Sequence, residues 1–377
     1  MPELPEVERM RRILHDKCVG KKIVSVAAEE DTIVFENCDS KQFEAELLGK
    51  TVVAAGRKGK CFWLELNKPM HVVLHCGMTG TIAIKGLVPF TYKDFNKDAS
   101  VEVFPPKFHK FVMKMDDGTE VAFTDVRRLG RIRLVNNIFG EKPVSELGFD
   151  PLLNMPPLEE FTTMCRKRRV PIKALLLDQN FSAGVGNYVA DEVLYRARIH
   201  PGTYVQALTR SDFKALHESL AHVVTFACSV NADADKFPRD WLFHYRWTNK
   251  KASEVDGMRI EFATVGGRTS AFVPQLQKLR KAAVNWDDES GSTVPQDDEE
   301  EEQPAEPKTK KPPPSGSKRK RQQKPQTADA AACDDIERDP GDTVVSRKAK
   351  RRVKDVATLD VDESAPQSKK RNRKGQS

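Results

Sequence analysis

Residues 51–76 read TVVAAGRKGKCFWLELNKPMHVVLHC, and this stretch decides the class of fold. It contains three short apolar runs, TVVAA, CFWLEL and HVVLHC, each five or six residues long. Short runs rich in Val, Phe and Trp, with Gly, Lys, Asn and Pro between them, are typical of β-strands. The stretch therefore predicts three successive strands.

The same pattern extends in both directions from this stretch. IVSV precedes it, and FHKFVMKM, EVAF and RIRLV follow it as far as about Val135. Before them, Pro5 at a helix start and apolar residues at helical spacing predict one N-terminal helix. Seven or eight short strands behind one helix predict a β-sandwich or barrel for residues 1–135.

The pattern changes after residue 135. Residues 136–157 contain four prolines and predict an interdomain connection. Helical periodicity then predicts a helical domain over 158–240, with helices over 158–165, 171–179, 187–198 and 209–229. An extended pattern returns over 241–272 and predicts a β-hairpin module within 241–282. The overall class is α+β.

The last 92 residues, 286–377, have a different composition. They carry 20 basic and 20 acidic residues, no Phe and no Tyr, whereas residues 1–285 carry a net charge of +7. Such a segment buries too little apolar surface to offset the entropy cost of ordering it, which predicts disorder. Three basic clusters in this tail are typical of nuclear localisation signals or DNA tethers: 318–321, 347–354 and 369–374.

Composition also excludes several classes of protein. The apolar runs are too short for a transmembrane helix, and the acidic N-terminus does not resemble a secretion signal. Seven scattered cysteines without CxxC spacing argue against a disulfide framework and a thiolate zinc site, and favour a reducing compartment. The excess positive charge of residues 1–285 favours a polyanionic partner.

The N-terminus offers a nucleophile. Removal of Met1 would leave Pro2 as a secondary amine, and an N-terminal amine titrates low enough to be partly neutral near pH 7. Attack of this amine on a sugar aldehyde would form an iminium ion, which favours β-elimination. Glu3 could transfer protons if burial raises its pKa. The simpler alternative is an ordinary start that leads into a helix.

Two further features suggest anion binding. The turn Gly184–Asn187 opens a helix, so its backbone amides could hold a phosphate, although a plain helix connection remains the alternative. Basic residues stand at predicted strand and turn positions, where a solvated surface is the alternative to DNA binding; they are Arg57, Lys58, Lys60, Lys110, Arg127, Arg128, Arg131 and Arg268. His71 and His75 would share one strand face, and we interpret them as structural.

Taken together, these motifs resemble the formamidopyrimidine-DNA glycosylases. The resemblance runs from residue 2 to about 279 and rests on motifs that occur in the family's order: PELPEVE (2–8), Lys60, HCGMTG (75–80), TDVRRLG (124–130), GVGNYVADE (184–192) and RIHP (198–201). It implies a helix-two-turn-helix domain over 158–240, followed by a finger hairpin. It also implies a bifunctional DNA glycosylase and abasic-site lyase.

The resemblance assigns roles residue by residue. Pro2 would be the Schiff-base nucleophile, Glu3 the general acid and base, Glu6 a supporting carboxylate and Lys60 a phosphate ligand of the catalytic site. DNA-binding roles fall to Lys110, Arg127, Lys173, Asn187 and Arg268. Met78, Arg127 and Leu129 would fill the gap left by a flipped nucleotide; Leu129 replaces the more common Phe.

The hairpin departs from bacterial members of the family, which close it with two CxxC pairs around zinc. The corresponding positions here are Ser253, Asp256, Val273 and Leu276, which cannot form a thiolate site. This pattern resembles the zincless finger of the plant and fungal branch, so we expect no metal and no other cofactor.

The expected partner is double-stranded DNA with oxidised purines or abasic sites, bound by a nuclear monomer that does not contact membranes. A short connection after the last helix predicts faster removal of formamidopyrimidines and hydantoins than of 8-oxoguanine. Two alternatives remain: an enzyme restricted to abasic-site cleavage, and a non-catalytic lesion-DNA-binding protein.

Overall fold

The computed structural model describes residues 2–87, 103–246 and 253–281. The predicted tail, residues 286–377, lies outside these described residues. The helices are α1 Leu4–Cys18, α2 Ser40–Leu47, α3 Leu158–Arg166, α4 Ile172–Leu177, α5 Asn187–Arg196 and α6 Arg210–Ser229. The strands of the first half are β1 Ile23–Ala28, β2 Val52–Lys58, β3 Cys61–Leu66, β4 His71–His75, β5 Thr81–Ile84, β6 His109–Met115, β7 Glu120–Thr124 and β8 Arg131–Val135.

The first eight strands form the predicted β-sandwich. They make two four-stranded sheets in the orders β2-β3-β4-β8 and β1-β6-β7-β5, with antiparallel neighbours throughout both sheets. Apolar side chains from both sheets meet in one core, for example Phe62 and Leu74 from one sheet and Phe111 from the other. Burying these faces against each other is what the alternating pattern favours.

Helix α1 covers this core through one apolar face. Val7, Met10 and Leu14 recur at helical spacing and are buried, as the pattern predicts. Glu3 and Glu6 form a capping box at the helix start, because each side chain accepts from a backbone N–H that the helix itself leaves without a partner.

The predicted strand list was incomplete. It lacked β5. Helix α2 was also missed by sequence reasoning; there Asp39 caps the helix, and Phe43 and Leu47 are buried one turn apart. Both elements are short, so only a few residues carry the periodic signal that distinguishes a helix from a strand.

The second half has its own apolar core, built from α3 to α6. Helix α5 is buried at every position from Tyr188 to Tyr195 because neighbouring elements surround it. Leu4 from the N-terminal segment is fully buried in this second core. The N-terminus therefore joins the two halves of the protein.

A β-hairpin follows the helices. β11 (Glu261–Val265) pairs with β12 (Arg268–Phe272), beside the two-residue strands β9 (Glu254–Val255) and β10 (Met258–Arg259). The extended interpretation of residues 241–245 was wrong, because Leu242–His244 forms a 3₁₀ turn whose first two side chains are buried. None of the helices in the described part of the chain is long and apolar enough to span a bilayer.

Candidate active site

The N-terminal segment docks against the start of α5. The backbone N–H of Leu4 donates to the carbonyl oxygen of Gly184 at 3.0 Å. Gly184 has φ +97°, and a Cβ there would lie 2.8 Å from the Leu4 side chain. The glycine turn thus serves close packing against the N-terminus, and it leaves Pro2 half-buried at the edge of this contact.

Glu3 occupies the N-terminus of α5. Its carboxylate accepts from the backbone N–H of Tyr188 at 2.9 Å and of Val189 at 3.1 Å. A Cβ on Gly186 would come within 2.2 Å of the Glu3 carboxyl carbon, so only glycine leaves room for this carboxylate. The amides of Tyr188 and Val189, which directly follow the turn Gly184–Asn187, are therefore bound to Glu3, and phosphate binding by the turn itself stays a prediction.

Burial and charge act in opposite directions on Glu3. The side chain is only 3% exposed, and burial raises the pKa of its carboxyl, while Lys60 and the two helix amides act to lower it. The net direction is a raised pKa. Glu3 therefore keeps its proton to a higher pH than an ordinary carboxyl group does, which suits a general acid.

Glu6 completes a carboxyl pair. Burial and the nearby charge of Glu3 raise the pKa of Glu6 to about 8. One oxygen of Glu6 accepts from the Tyr188 hydroxyl at 2.9 Å, and the other accepts from the Glu3 backbone N–H at 2.8 Å. Because the pKa values of both groups are raised, the pair retains a proton near neutral pH, and the proton belongs to the pair rather than to one residue.

Lys60 faces this pair from the turn between β2 and β3. The side chain is buried, which lowers the pKa of its ammonium group, and the charge of Arg268 lowers it further while Glu3 raises it. Lys60 and Arg268 are therefore close enough to interact, although 208 positions separate them in the sequence. His75 lies in the same positive field, and burial with the charge of Lys60 lowers its pKa to about 4.

An ion network beneath the site was missed by sequence reasoning. Arg57, for which the sequence left open DNA binding or a solvated surface, is buried and donates to Glu8 at 3.1 Å and to Asp150. Asp150 also accepts from the Gly59 backbone N–H at 2.7 Å, directly before Lys60. In the sequence only Glu8, the third acid of the PELPEVE motif, hinted at this network, because Asp150, the other acid that pairs with Arg57, lies in the predicted connection.

Two loops carry the predicted gap-filling residues. Asp125 is fully buried and accepts from the Thr79 hydroxyl and, at 2.6 Å, from the Gly130 backbone N–H. This carboxylate ties the loop that carries Met78 to the loop that carries Arg127 and Leu129. In the second loop, Arg127 is exposed and Leu129 is 41% exposed, so both side chains are available to a partner.

Two of the predicted DNA contacts are placed differently. Lys110 is buried and donates to Asp31 at 2.9 Å, and Arg128 donates to the same carboxylate at 3.0 Å. Lys173 is fully buried against Asp191 at 2.6 Å, so the expectation that it contacts DNA is not supported by this structure. Burial of an ammonium group requires such partners, and these leave it no surface for a phosphate.

Two more of the predicted DNA contacts, Arg268 and Asn187, lie near each other. Arg268 is exposed at the start of β12, beside the hairpin turn. Asn187 begins α5, and its side chain donates to the carbonyl oxygen of Thr269 at 3.0 Å. The structure thus brings Pro2, Glu3, Glu6, Lys60, Asn187 and Arg268 to one region between the sandwich, α5 and the hairpin.

Three family models match successive parts of the chain. They describe the formamidopyrimidine-DNA glycosylase N-terminal domain over 1–132, its H2TH domain over 147–238 and a formamidopyrimidine-DNA glycosylase-like C-terminal domain over 241–274. The chain is 45% identical to a formamidopyrimidine-DNA glycosylase of Arabidopsis thaliana over 280 residues, which cover 74% of this chain and 71% of that protein. The chain belongs to the formamidopyrimidine-DNA glycosylase family.

More distant family members agree in sequence and structure. The formamidopyrimidine-DNA glycosylase of Pelotomaculum thermopropionicum is 32% identical over 294 residues, covering 74% of this chain and all of that protein. The Lactococcus lactis enzyme, solved bound to DNA with an abasic site, superposes with a TM-score of 0.61 at 27% identity, covering 73% of this chain and 99% of that one. The same enzyme has also been solved with DNA that contains N7-benzyl-Fapy-dG.

Zinc does not fit the hairpin of this family member. At the four positions equivalent to the zinc ligands of bacterial members, Val273 and Leu276 belong to an apolar cluster with Val255 and Ile260. Aliphatic side chains cannot coordinate a metal, and Ser253 and Asp256 supply too few donors for a tetrahedral site. Within the described ranges no other cluster of His, Cys, Asp and Glu could hold a metal ion.

Proposed function

We propose that this protein removes oxidised purines from double-stranded DNA and cleaves the resulting abasic site, with Pro2 as the nucleophile. The observation that carries the proposal is the position of Glu3. Its buried carboxylate is held by the α5 amides directly beside Pro2 and within the electrostatic reach of Lys60. Relatives named formamidopyrimidine-DNA glycosylases support the substrate class.

The chemistry follows from a secondary amine. The nitrogen of Pro2, freed by removal of Met1, attacks C1′ of the damaged nucleotide as the glycosidic bond breaks and the base leaves with a proton. Opening of the sugar ring gives an iminium ion between Pro2 and C1′. Loss of a C2′ proton then expels the 3′ phosphate, and water later releases Pro2.

Glu3 and Glu6 supply the proton transfers. A carboxyl group with a raised pKa protonates the sugar ring oxygen, and the resulting carboxylate is stabilised by the α5 amides and by Lys60. Glu6 holds the Glu3 backbone and shares the proton of the pair. Lys60 and Arg268 offset the negative charge of the DNA backbone around the lesion.

Borohydride trapping tests the assignment of Pro2. With abasic-site duplex, borohydride should reduce the iminium ion to a stable covalent adduct, and Pro2→Gly or an added N-terminal segment should abolish it. Lys60→Met is the matched variant: it should weaken DNA binding yet still give some adduct at Pro2. An adduct that survives Pro2→Gly and disappears in Lys60→Met would assign the nucleophile to Lys60.

The same experiment separates the two alternatives. A protein restricted to abasic-site cleavage would give adduct on abasic duplex and none on duplex that contains formamidopyrimidine. A non-catalytic binding protein would give no adduct on either duplex.

The connection after α6 supports a preference among lesions. Arg12 of α1 donates to the Cys228 carbonyl at 2.8 Å and to the Asn231 side chain at 2.9 Å, which pins the connection to α1. Phe237 and Trp241, further along, are buried in the helical core. A connection held this closely offers little chain to enclose a flipped base, so discrimination rests on fewer directed contacts.

We therefore place abasic sites, formamidopyrimidines and hydantoins ahead of 8-oxoguanine as substrates. Lesions with weak stacking or a labile glycosidic bond need less enclosure by the protein. Single-turnover rates on matched duplexes measure the order. Equal rates for 8-oxoguanine and formamidopyrimidine, each opposite cytosine, would contradict it.

Two further proposals concern the hairpin and the cell compartment. The hairpin functions without zinc, because the apolar cluster around Val273 takes the place of the metal in holding it. The protein acts in the nucleus, a proposal that rests on the three basic clusters of residues 286–377.

A further inference from the structure

Lys173 is a cation buried inside the protein. Its side chain is fully buried, and its ammonium group lies 2.6 Å from an Asp191 oxygen. The same group donates to the Ser270 hydroxyl at 2.7 Å and to the Thr269 carbonyl at 3.2 Å. Ser270 and Thr269 accept two of the three ammonium protons, whereas the Asp191 oxygen pairs with the ammonium group by charge and accepts no hydrogen bond from it.

Asp191 joins Lys173 to a second cation. Its other oxygen accepts from Arg246 at 2.7 Å and from the Ala271 backbone N–H at 3.2 Å. We name Lys173, Asp191 and Arg246 the buried ion cluster. Its members come from α4, from α5 and from the segment after the 3₁₀ turn, and all three are at most 9% exposed.

The buried ion cluster holds one strand, β12, directly beside Arg268. Lys173 and Asp191 together contact Thr269, Ser270 and Ala271, the three residues that follow Arg268 in this strand. The Ser270 hydroxyl, which accepts from Lys173, donates in turn to the carbonyl oxygen of Arg268 at 3.2 Å.

Packing at the hairpin turn also holds the hairpin in place. A Cβ on Gly266 would lie 3.1 Å from the Ala174 side chain, so the turn sits close against α4, next to Lys173. The hairpin is therefore fixed to α4 and α5 at its tip as well as through the apolar cluster at its base.

We propose that the buried ion cluster is a positioning device that fixes Arg268 relative to the site formed by Glu3 and Lys60, and that Lys173 acts through Arg268 rather than by contact with DNA. This inference rests on the proposed function, in which Arg268 holds lesion phosphates. Buried ion pairs add little net stability, but they select one arrangement, because removal of a partner leaves a charge without compensation. The hairpin accordingly keeps a single position against α5.

A double-mutant cycle tests the inference with the full chain. The variants are Lys173→Met, Arg268→Ala and the double variant, and the probe is a duplex with a tetrahydrofuran abasic-site analogue. Arg268→Ala should weaken binding by about tenfold, because a charge-assisted contact is lost. Lys173→Met should weaken binding by about fivefold or more. In the Arg268→Ala background, Lys173→Met should change the dissociation constant by less than about twofold, since its effect passes through Arg268.

Lys167→Met is the matched control, because Lys167 is exposed and lies outside the buried ion cluster. Its effect should be small and should persist in the Arg268→Ala background. Two results would overturn the inference. One is a double variant whose dissociation constant rises by the product of the two single fold-changes. The other is a Lys173→Met variant that binds the duplex as tightly as the unaltered protein.

The experiment stays informative if Lys173→Met does not fold, and it distinguishes failure of the inference from failure of the proposed function. If Lys173→Met does not fold, Ser270→Ala replaces it in the cycle, since that change removes one acceptor of Lys173 without leaving a buried charge. The same test applies: loss of its effect in the Arg268→Ala background supports the inference, and a persistent effect overturns it. If the unaltered protein does not prefer the tetrahydrofuran duplex over undamaged duplex, the proposed function itself fails.

Discussion

At the scale of single residues, the site depends on how Glu3 is accommodated. A buried carboxylate is costly, and here the α5 N-terminus offsets part of that cost through two backbone N–H groups and the positive end of the helix dipole. The GVGN turn was expected to bind an external phosphate, and the two backbone amides that directly follow it bind an anion of the protein itself. Composition identifies such a turn as an anion site, yet it cannot say which anion the fold delivers.

Gly186→Ala should reduce activity without unfolding the protein. The new Cβ would come within 2.2 Å of the Glu3 carboxyl carbon, so the carboxylate must leave the α5 amides. Misplacement of a general acid and base should lower the single-turnover rate by at least about tenfold. The stability cost should be about 1–3 kcal/mol.

Gly202→Ala is the control, because the nearest atoms there belong to the His200 ring at 3.3 Å and that ring can move. Rates on abasic duplex, together with urea unfolding, compare the two variants. Equal rates for both variants would show that activity does not depend on the hydrogen bonds between Glu3 and the α5 amides.

Glu6→Gln should change how stability depends on pH. The pKa of Glu6 is about 8 in the folded protein against an ordinary value of 4.5. Between these pH values the folded protein keeps, on the Glu3–Glu6 pair, a proton that the unfolded chain has released, so the pair lowers the free energy of unfolding as pH rises. The free energy of unfolding of Glu6→Gln, relative to that of the unaltered protein, should then rise by up to about 1 kcal/mol per pH unit from pH 5 to 8.

Urea unfolding at four pH values measures this difference. The lost hydrogen bond of Glu6→Gln lowers the stability of the variant by a constant amount, so the slope against pH is the readout rather than the offset. Glu192, whose pKa burial also raises to about 8, titrates in both proteins and does not enter the comparison. A difference that stays constant with pH would contradict the assignment.

At the scale of elements, periodicity identified those with a long apolar face. Helix α6 and the strands of residues 51–76 followed from pattern alone, and the four C-terminal helices lie within two residues of their expected bounds. The missed α2 and β5 are short, and the segment 241–245 was misinterpreted because buried aromatic residues suit a strand and a 3₁₀ turn equally. The ion pairs of Arg57 and Lys173 were beyond prediction because their partners lie 93 and 18 positions away.

The hairpin should function without a metal. Purified protein should contain no stoichiometric zinc, and chelators should leave cleavage of abasic duplex unchanged, because the described hairpin is held by apolar packing and by the buried ion cluster. Metal analysis and cleavage after treatment with EDTA measure this. A bacterial relative with two CxxC pairs is the control that should lose activity under a strong chelator. Chelator-sensitive cleavage by the present protein would contradict the proposed hairpin.

At the scale of the whole molecule, the site exists only because two cores are joined. Leu4 enters the helical core, Arg57 of the sandwich pairs with Asp150 of the connection, and Arg12 of α1 binds Asn231 in the turn after α6. Each contact crosses between the two halves near the N-terminus. The division into a sandwich and a helical domain was predictable from the change in period, but the seam between them was not, since it depends on tertiary contacts.

The end of the folded part can be located by truncation. Arg280 pairs with Asp212 at the start of α6, so contacts of the fold extend past residue 279, where the family resemblance ends. A chain that ends after Lys281 should keep full lyase activity and the stability of the whole protein. A chain that ends after Leu279 should lose up to about 1 kcal/mol of its free energy of unfolding, since the pair is partly exposed.

Both truncations remove the three basic clusters, so nuclear import of a fluorescent fusion and affinity for long undamaged DNA at low salt should fall equally in both. Normal import, or loss of lyase activity after truncation at Lys281, would show that residues 282–377 act differently from the nuclear and DNA-tethering role proposed for them.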